Sequence, residues 1–95
     1  MFSDLIVEDQ RLVILRTLND LNLEAGESII QDCLDAWGHR VSRDVVRTRL
    51  QWLAEQGLVT LETLHGYLVA TLTGRGQDVV EDRVSVPGVK KPRAR

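Results

Sequence analysis

Three arginines fall within seven residues of the run SRDVVRTRLQWLAEQGLV (42–59): Arg43, Arg47 and Arg49. A guanidinium presents a planar fork of N–H donors, which suits phosphate oxygens and, bidentately, the O6/N7 edge of a guanine. Gln51 can make the corresponding pair with adenine. Anion and base-edge recognition is therefore the chemistry within reach of this stretch. Which side chains are free for it depends on how the stretch folds.

Ser42 is a good helix N-cap, and Val46, Leu50 and Leu53 then repeat at i, i+4 and i+7. Gly57 ends the helix, which is expected over 42–56. Each residue advances about 100° around the axis. With Val46, Leu50 and Leu53 buried, Arg43, Asp44, Arg47, Thr48 and Gln51 lie on the opposite side, toward the N-terminal half. Arg40 and Ser42 stand in the turn before it, placed for contact with a phosphate backbone, and a helix N-terminus itself favours phosphate. The competing reading is a solvated face in which Asp44 offsets the arginines.

The flanking sequence supplies the elements that would position this helix. VEDQRLVILRTLNDL predicts a helix over 8–20, with Leu12, Ile14, Leu15, Leu18 and Leu21 at helical spacing and Val13 widening the apolar face, and Phe2, Leu5 and Ile6 before it can extend the same helix. A face that wide suggests more than one packing surface. GESIIQDCLDAWG predicts a second helix over 26–37, with Ile30, Cys33, Leu34 and Trp37 as its stripe and Gly38 as the C′ residue. LVTLETLHGYLVATL reads as a hairpin over 58–72 that turns near Leu64–Gly66. TGRGQDVVEDR predicts a short fourth helix over 73–83, capped by Thr73. The tail SVPGVKKPRAR has two prolines and no acid. One domain over 1–83 and an extended, flexible basic tail over 84–95 are therefore expected.

Composition sets the outer bounds. Ninety-five residues, 43% hydrophobic and 27% charged, suit one small globular domain with a thin core, a size at which dimers are common. The net charge is −2, but it is unevenly spread. Residues 1–39 hold eight acids against two bases, and residues 40–95 hold ten bases against six acids. A chain divided in this way can present one basic face to phosphate. No apolar run approaches the roughly 20 residues of a membrane span. No secretory signal is evident, and the single cysteine, Cys33, fits a reducing cytoplasm.

Several chemistries find no support. One cysteine and two scattered histidines, His39 and His65, offer no metal site. No P-loop, nucleophile elbow or acid–base pair is evident, so the chain reads as a non-enzyme without cofactor. Trp37 and Trp52 read as core or dimer contacts and Cys33 as a small buried hydrophobe. His39 reads as a cap or phosphate contact, and Asp32 and Asp35 as a solvated acidic face.

The order helix, helix, short turn, helix, hairpin, helix is the winged helix-turn-helix plan, an α+β, mainly α fold. Its third helix is the one usually aimed at the major groove. VVRTRLQWLAEQGLV resembles winged-helix transcriptional regulators of the MarR and ArsR type in its Leu-x-x-Leu-x-x-x-Gly-Leu-Val pattern. TLTGRGQDV resembles the Leu-Thr-x-x-Gly step after their wing. More closely, GHRVSRDVVRTRLQWLAEQGLVTLE together with VPGVKKP resembles a family of small proteins of Mu-like phages and prophages. The resemblance covers about residues 8–83.

What the resemblance implies is a dimeric, double-stranded DNA-binding regulator. Its DNA contacts would be Arg40, Ser42, Arg43, Asp44, Arg47, Thr48 and Gln51, with His65 on the wing and Lys90 and Lys91 on the tail. The chain departs from ArsR-type sensors in lacking their thiolate metal sites. It also departs in its wing, where only His65 between Leu58 and Leu72 can become cationic. The tail reads either as a DNA arm, with Lys90, Lys91, Arg93 and Arg95 adding a phosphate term, or as a solubilising end. The rival function is a winged-helix protein–protein adaptor in phage packaging or assembly.

Overall fold

The local signals for helix ends act where the sequence sets them. The Ser42 hydroxyl accepts from the Val45 backbone N–H, and that of Thr73 accepts from Gly76 N–H. Gly38 and Gly57 take positive φ just past their helices, which lets His39 N–H bond Leu34 O and Leu58 N–H bond Leu53 O. His65 and Gly66 both have positive φ, as a two-residue type I′ hairpin turn requires. A computed structural model describes residues 2–93. Its elements are α1 (Phe2–Asp20), β1 (Glu24–Gly26), α2 (Glu27–Ala36), α3 (Arg43–Glu55), β2 (Val59–Leu64), β3 (Tyr67–Leu72) and α4 (Gly74–Val80).

The architecture is a mainly helical α+β fold with a winged helix-turn-helix arrangement. α2 and α3 form the helix pair, and the β2–β3 hairpin is the wing. Val46, Leu50 and Leu53 are fully buried, as their spacing predicts. They share one core with Leu12, Ile14, Leu15, Leu18, Ile30, Leu34, Leu58 and Val79.

The Leu-Thr-x-x-Gly step has a steric cause. Leu72 is buried, Thr73 Oγ1 donates to Gly57 O at 2.7 Å, and Gly76 packs tightly against Leu58 and Leu72. A Cβ at position 76 would come within 2.3 Å of Leu58 O.

The structure corrects several expectations. A third strand, β1, pairs antiparallel with β3 (Glu24↔Thr71, Gly26↔Val69), so the sheet order is β1-β3-β2. Glu, Ala and Gly have poor strand preference, so this strand exists because β3 offers it an edge. α1 takes in the extension through Phe2, Leu5 and Ile6 and so begins at Phe2, and Leu21, expected on its apolar face, is exposed. The wide apolar face of α1 is satisfied within the chain, by α2, α4, β3 and the C-terminal segment. Trp37 leaves the α2 stripe after the helix ends and stands 64% exposed. Cys33 is half-buried.

The largest correction concerns the segment from residue 84, expected to be flexible. Residues 84–93 form a strap packed on α1. Val86 and Val89 are buried in the core. Arg11 Nη1 donates to Gly88 O at 2.8 Å, and Lys90 N–H donates to Glu8 O. The guanidinium of Arg11 stacks 3.7 Å from the centre of the Trp52 ring. Two valines and a glycine that fits against an indole outweigh the two prolines and four bases that made the segment look unstructured. Arg95 lies outside the described residues.

Candidate nucleic-acid interface

Arg43 and Arg47 stand one helical turn apart on α3 and converge on a single acceptor, Glu27. Its carboxylate is wholly buried, while the two arginine side chains remain 36% and 43% exposed. Glu27 Oε1 accepts from Arg47 Nη2 at 2.7 Å, and the Arg47 Nε–H reaches both carboxylate oxygens at 3.1 Å. Arg43 Nη1 donates to Oε1 at 3.2 Å, and its Nε donates to Gln31 Oε1 at 2.8 Å. The wing joins as well, because Leu68 N–H donates to Glu27 Oε2 at 2.8 Å. The bonds from Arg47 above all, then those from Leu68 and Arg43, outweigh burial and hold the carboxyl down to about 2. Arg47 is correspondingly raised by its bond to Glu27.

Gln31 completes the arrangement by donating from Nε2 to Val41 O at 3.0 Å, which fixes the turn before α3. The third arginine, Arg49, points the other way and donates to Gln10 Oε1 on α1 at 3.0 Å. Each of the three arginines that mark the sequence therefore has an internal partner.

The other candidates are spread unevenly over this face. Ser42, Asp44, Thr48 and Gln51 are exposed on α3, and Thr48 Oγ1 donates to Asp44 O. Arg40 is exposed and lies 3.5 Å from Asp35. His65 is exposed at the wing tip, near exposed Glu62 and Tyr67. Lys90 belongs to another surface, since its ammonium lies 3.3 Å from Asp9 on α1. Lys91 lines a cleft with Leu12, Val13, Arg16 and Trp37. His39, expected as a cap or phosphate contact, sits 2.7 Å from Asp9 Oδ2.

Nothing in the α2 stripe of Ile30, Cys33, Leu34 and Trp37 singled out Glu27. The available signal was spacing. Glu27 precedes Ile30 by three residues and Leu34 by seven, so it occupies a stripe position at the first turn of α2. Among the described residues, no group of three His, Cys, Asp or Glu side chains is placed to hold a metal ion. No helix there is long and apolar enough to cross a membrane.

A capped α3 with half-exposed arginines, flanked by a β-hairpin, defines a winged-helix protein. The solved structure of BpsR from Bordetella bronchiseptica agrees, with a TM-score of 0.64 over 77% of this chain at 19% identity. The chain spans 49% of the length of BpsR, whose structure concerns regulation of its DNA binding by 6-hydroxynicotinic acid. At that identity the likeness defines the fold alone. No family model matches the chain. The uncharacterized protein gp26 of Escherichia phage Mu is 65% identical over 95 residues, which is all of this chain and 99% of gp26. A protein of Haemophilus influenzae is 57% identical over 75 residues, 78% of this chain and 74% of its own length. The chain belongs to the family of phage Mu gp26.

Proposed function

We propose that the chain is a sequence-specific double-stranded DNA-binding protein, a transcriptional regulator of the phage and prophage type that acts as a dimer. The observation that carries this reading is the pair of guanidiniums, Arg43 and Arg47, half-exposed on the N-terminal half of α3 beside the wing. That half of the helix is the part that enters the major groove in helix-turn-helix proteins. Arg43, Arg47 and Gln51 read base edges, with Thr48 and Asp44 beside them. Arg40, Ser42 and His65 meet the backbone. The likeness to BpsR, a protein whose DNA binding is regulated, supports the same reading.

For the dimer, support comes from Phe2, Leu5 and Ile6. They are exposed at helical spacing on the end of α1 and offer a self-complementary apolar patch. Leu5→Glu should turn a dimer into a monomer in sedimentation at tens of micromolar.

Selection of binding sites from randomised duplex DNA tests the main proposal. On a selected site, Arg47→Ala should cost on the order of 1–3 kcal/mol and relax preference at one base pair. Lys90 and Lys91 contribute, if they reach phosphate, only a salt-dependent term, so Lys90→Ala/Lys91→Ala should weaken all duplexes alike.

The adaptor reading keeps one specific observation in its favour. The wing carries exposed Glu62 and no arginine or lysine, and Arg40 faces Asp35. If no duplex binds at low salt, the adaptor role takes the place of DNA binding.

A further inference from the structure

We propose that Glu27 sets base specificity as a positioning residue. Its buried carboxylate fixes the planes of Arg43 and Arg47 so that the open end edge of Arg47 faces a guanine with Arg43 Nη2 beside it, and through Leu68 it ties that aim to the wing. This rests on the DNA-binding reading above. A guanidinium has five N–H donors around a plane. Glu27 takes the side edge of Arg47, the one formed by Nε and one hydrogen of Nη2. The end edge, formed by Nη1 and the second hydrogen of Nη2, has no protein partner among the described residues. An end edge of this kind is the fork that a guanine O6/N7 pair accepts. Arg43 is held differently, by Gln31 at Nε and by Glu27 at Nη1, so among the described residues it keeps the Nη2 donors rather than a whole fork.

Charge and energetics point the same way. Two guanidiniums share one carboxylate, so the cluster keeps a net positive charge toward a polyanion. An apolar side chain at position 27 would fill the same space without the desolvation cost of a buried charge. What a carboxylate adds is direction. A long arginine side chain loses several rotatable bonds when it binds, and one already held in place has less to lose. The bond to Leu68 N–H places the same carboxylate between α2, α3 and β3, so wing and α3 approach DNA in one register.

The test uses the full chain, a duplex selected by the wild type and a random duplex of equal length. The quantity read is the dissociation constant of the random duplex divided by that of the selected one. Glu27→Gln keeps the shape and an acceptor for Leu68 but loses the charge that orients both arginines. It should lower the ratio by roughly tenfold or more, with affinity for the random duplex unchanged or tighter. In an Arg43→Ala/Arg47→Ala background the same substitution should change the ratio no further. The side-chain Nε–H resonance of Arg47 should be resolved in the wild type and merge with those of free arginine in Glu27→Gln, while that of Arg43, held by Gln31, stays resolved.

An unchanged ratio in folded Glu27→Gln overturns the proposal, as does an equal loss on both duplexes. Should Glu27→Gln fail to fold, Arg47→Lys keeps the charge and removes the fork. It should lose the ratio while holding the random duplex, and a retained ratio there also overturns the proposal. A wild type that selects no duplex, with its arginine resonances still held, is a different failure. It ends the DNA-binding reading, and with it the specificity role, and leaves Glu27 as a structural clamp.

Discussion

Glu27 and Asp9 perform the same task in different surroundings. Each is a carboxylate that gathers groups from distant parts of the chain. Glu27 joins Arg43, Arg47 and Leu68. Asp9 joins His39, after α2, and Lys90, on the C-terminal strap. The Glu27 side chain is fully buried and that of Asp9 is 33% exposed. At Asp9, burial alone would raise the carboxyl, and the bonds from His39 and Lys90 outweigh it and leave it below its ordinary value. At Glu27 four N–H groups do the same work with water excluded. The difference shows how geometry follows from burial. A buried charge must be bonded in full, so its partners are held in fixed directions. An exposed pair competes with solvent and sets direction only loosely.

The sharpest way to break this comparison is Glu27→Ala. It leaves two guanidiniums side by side without a counter-charge and removes the partner of Leu68 N–H. The expected cost is roughly 3 kcal/mol, a fall in melting temperature on the order of 15 °C for a domain of this size. A change of only a degree or two would show that the cluster does not hold α2, α3 and the wing together. Acid gives the same contrast without mutation. Because the folded carboxyl is depressed from 4.5 to about 2, its stabilisation is present above the unfolded value and is lost as pH falls through that window. Glu27→Ala should flatten the loss of stability there, as read by denaturant midpoints at successive pH values.

A smaller effect is expected at the strap. Gly88 has φ +99°, and a Cβ there would meet the Trp52 ring at 2.7 Å and Arg11 Nη1 at 3.1 Å. Gly88→Ala should cost roughly 2 kcal/mol. It should speed hydrogen exchange at Lys90 N–H, which bonds Glu8 O, while α3 amides keep their protection. Equal loss of protection in α3 would mean that the strap and the helix pair unfold as one unit. The smallest effect is expected at Asp9. Asp9→Asn should cost under about 1 kcal/mol, and the cost should vanish near 1 M salt, where the screening length is roughly 3 Å. The cost of Glu27→Ala should persist there.

The sequence by itself determined the four helices, the hairpin and their order, because the signals that set them act over a few residues. Ser42 and Thr73 cap helices by reaching N–H groups three residues on. Gly38, Gly57 and the His65-Gly66 turn supply the positive φ values that end helices and reverse the hairpin. Val46, Leu50 and Leu53 choose the buried face of α3 through spacing alone. Tertiary structure decided what those local rules do not reach. The strand Glu24–Gly26 needs β3, some 45 residues away, as its template. Val86 and Val89 find a surface only once α1 and Trp52 are assembled, so a run rich in bases and prolines becomes part of the core. The partners of Arg43, Arg47 and Arg49 lie 16, 20 and 39 residues away. Helix periodicity says which side of α3 these arginines occupy. Which acceptor they meet depends on how α1, α2 and the wing enclose that side, because a long, flexible cationic side chain goes to whichever buried carboxylate or amide the packing brings within reach.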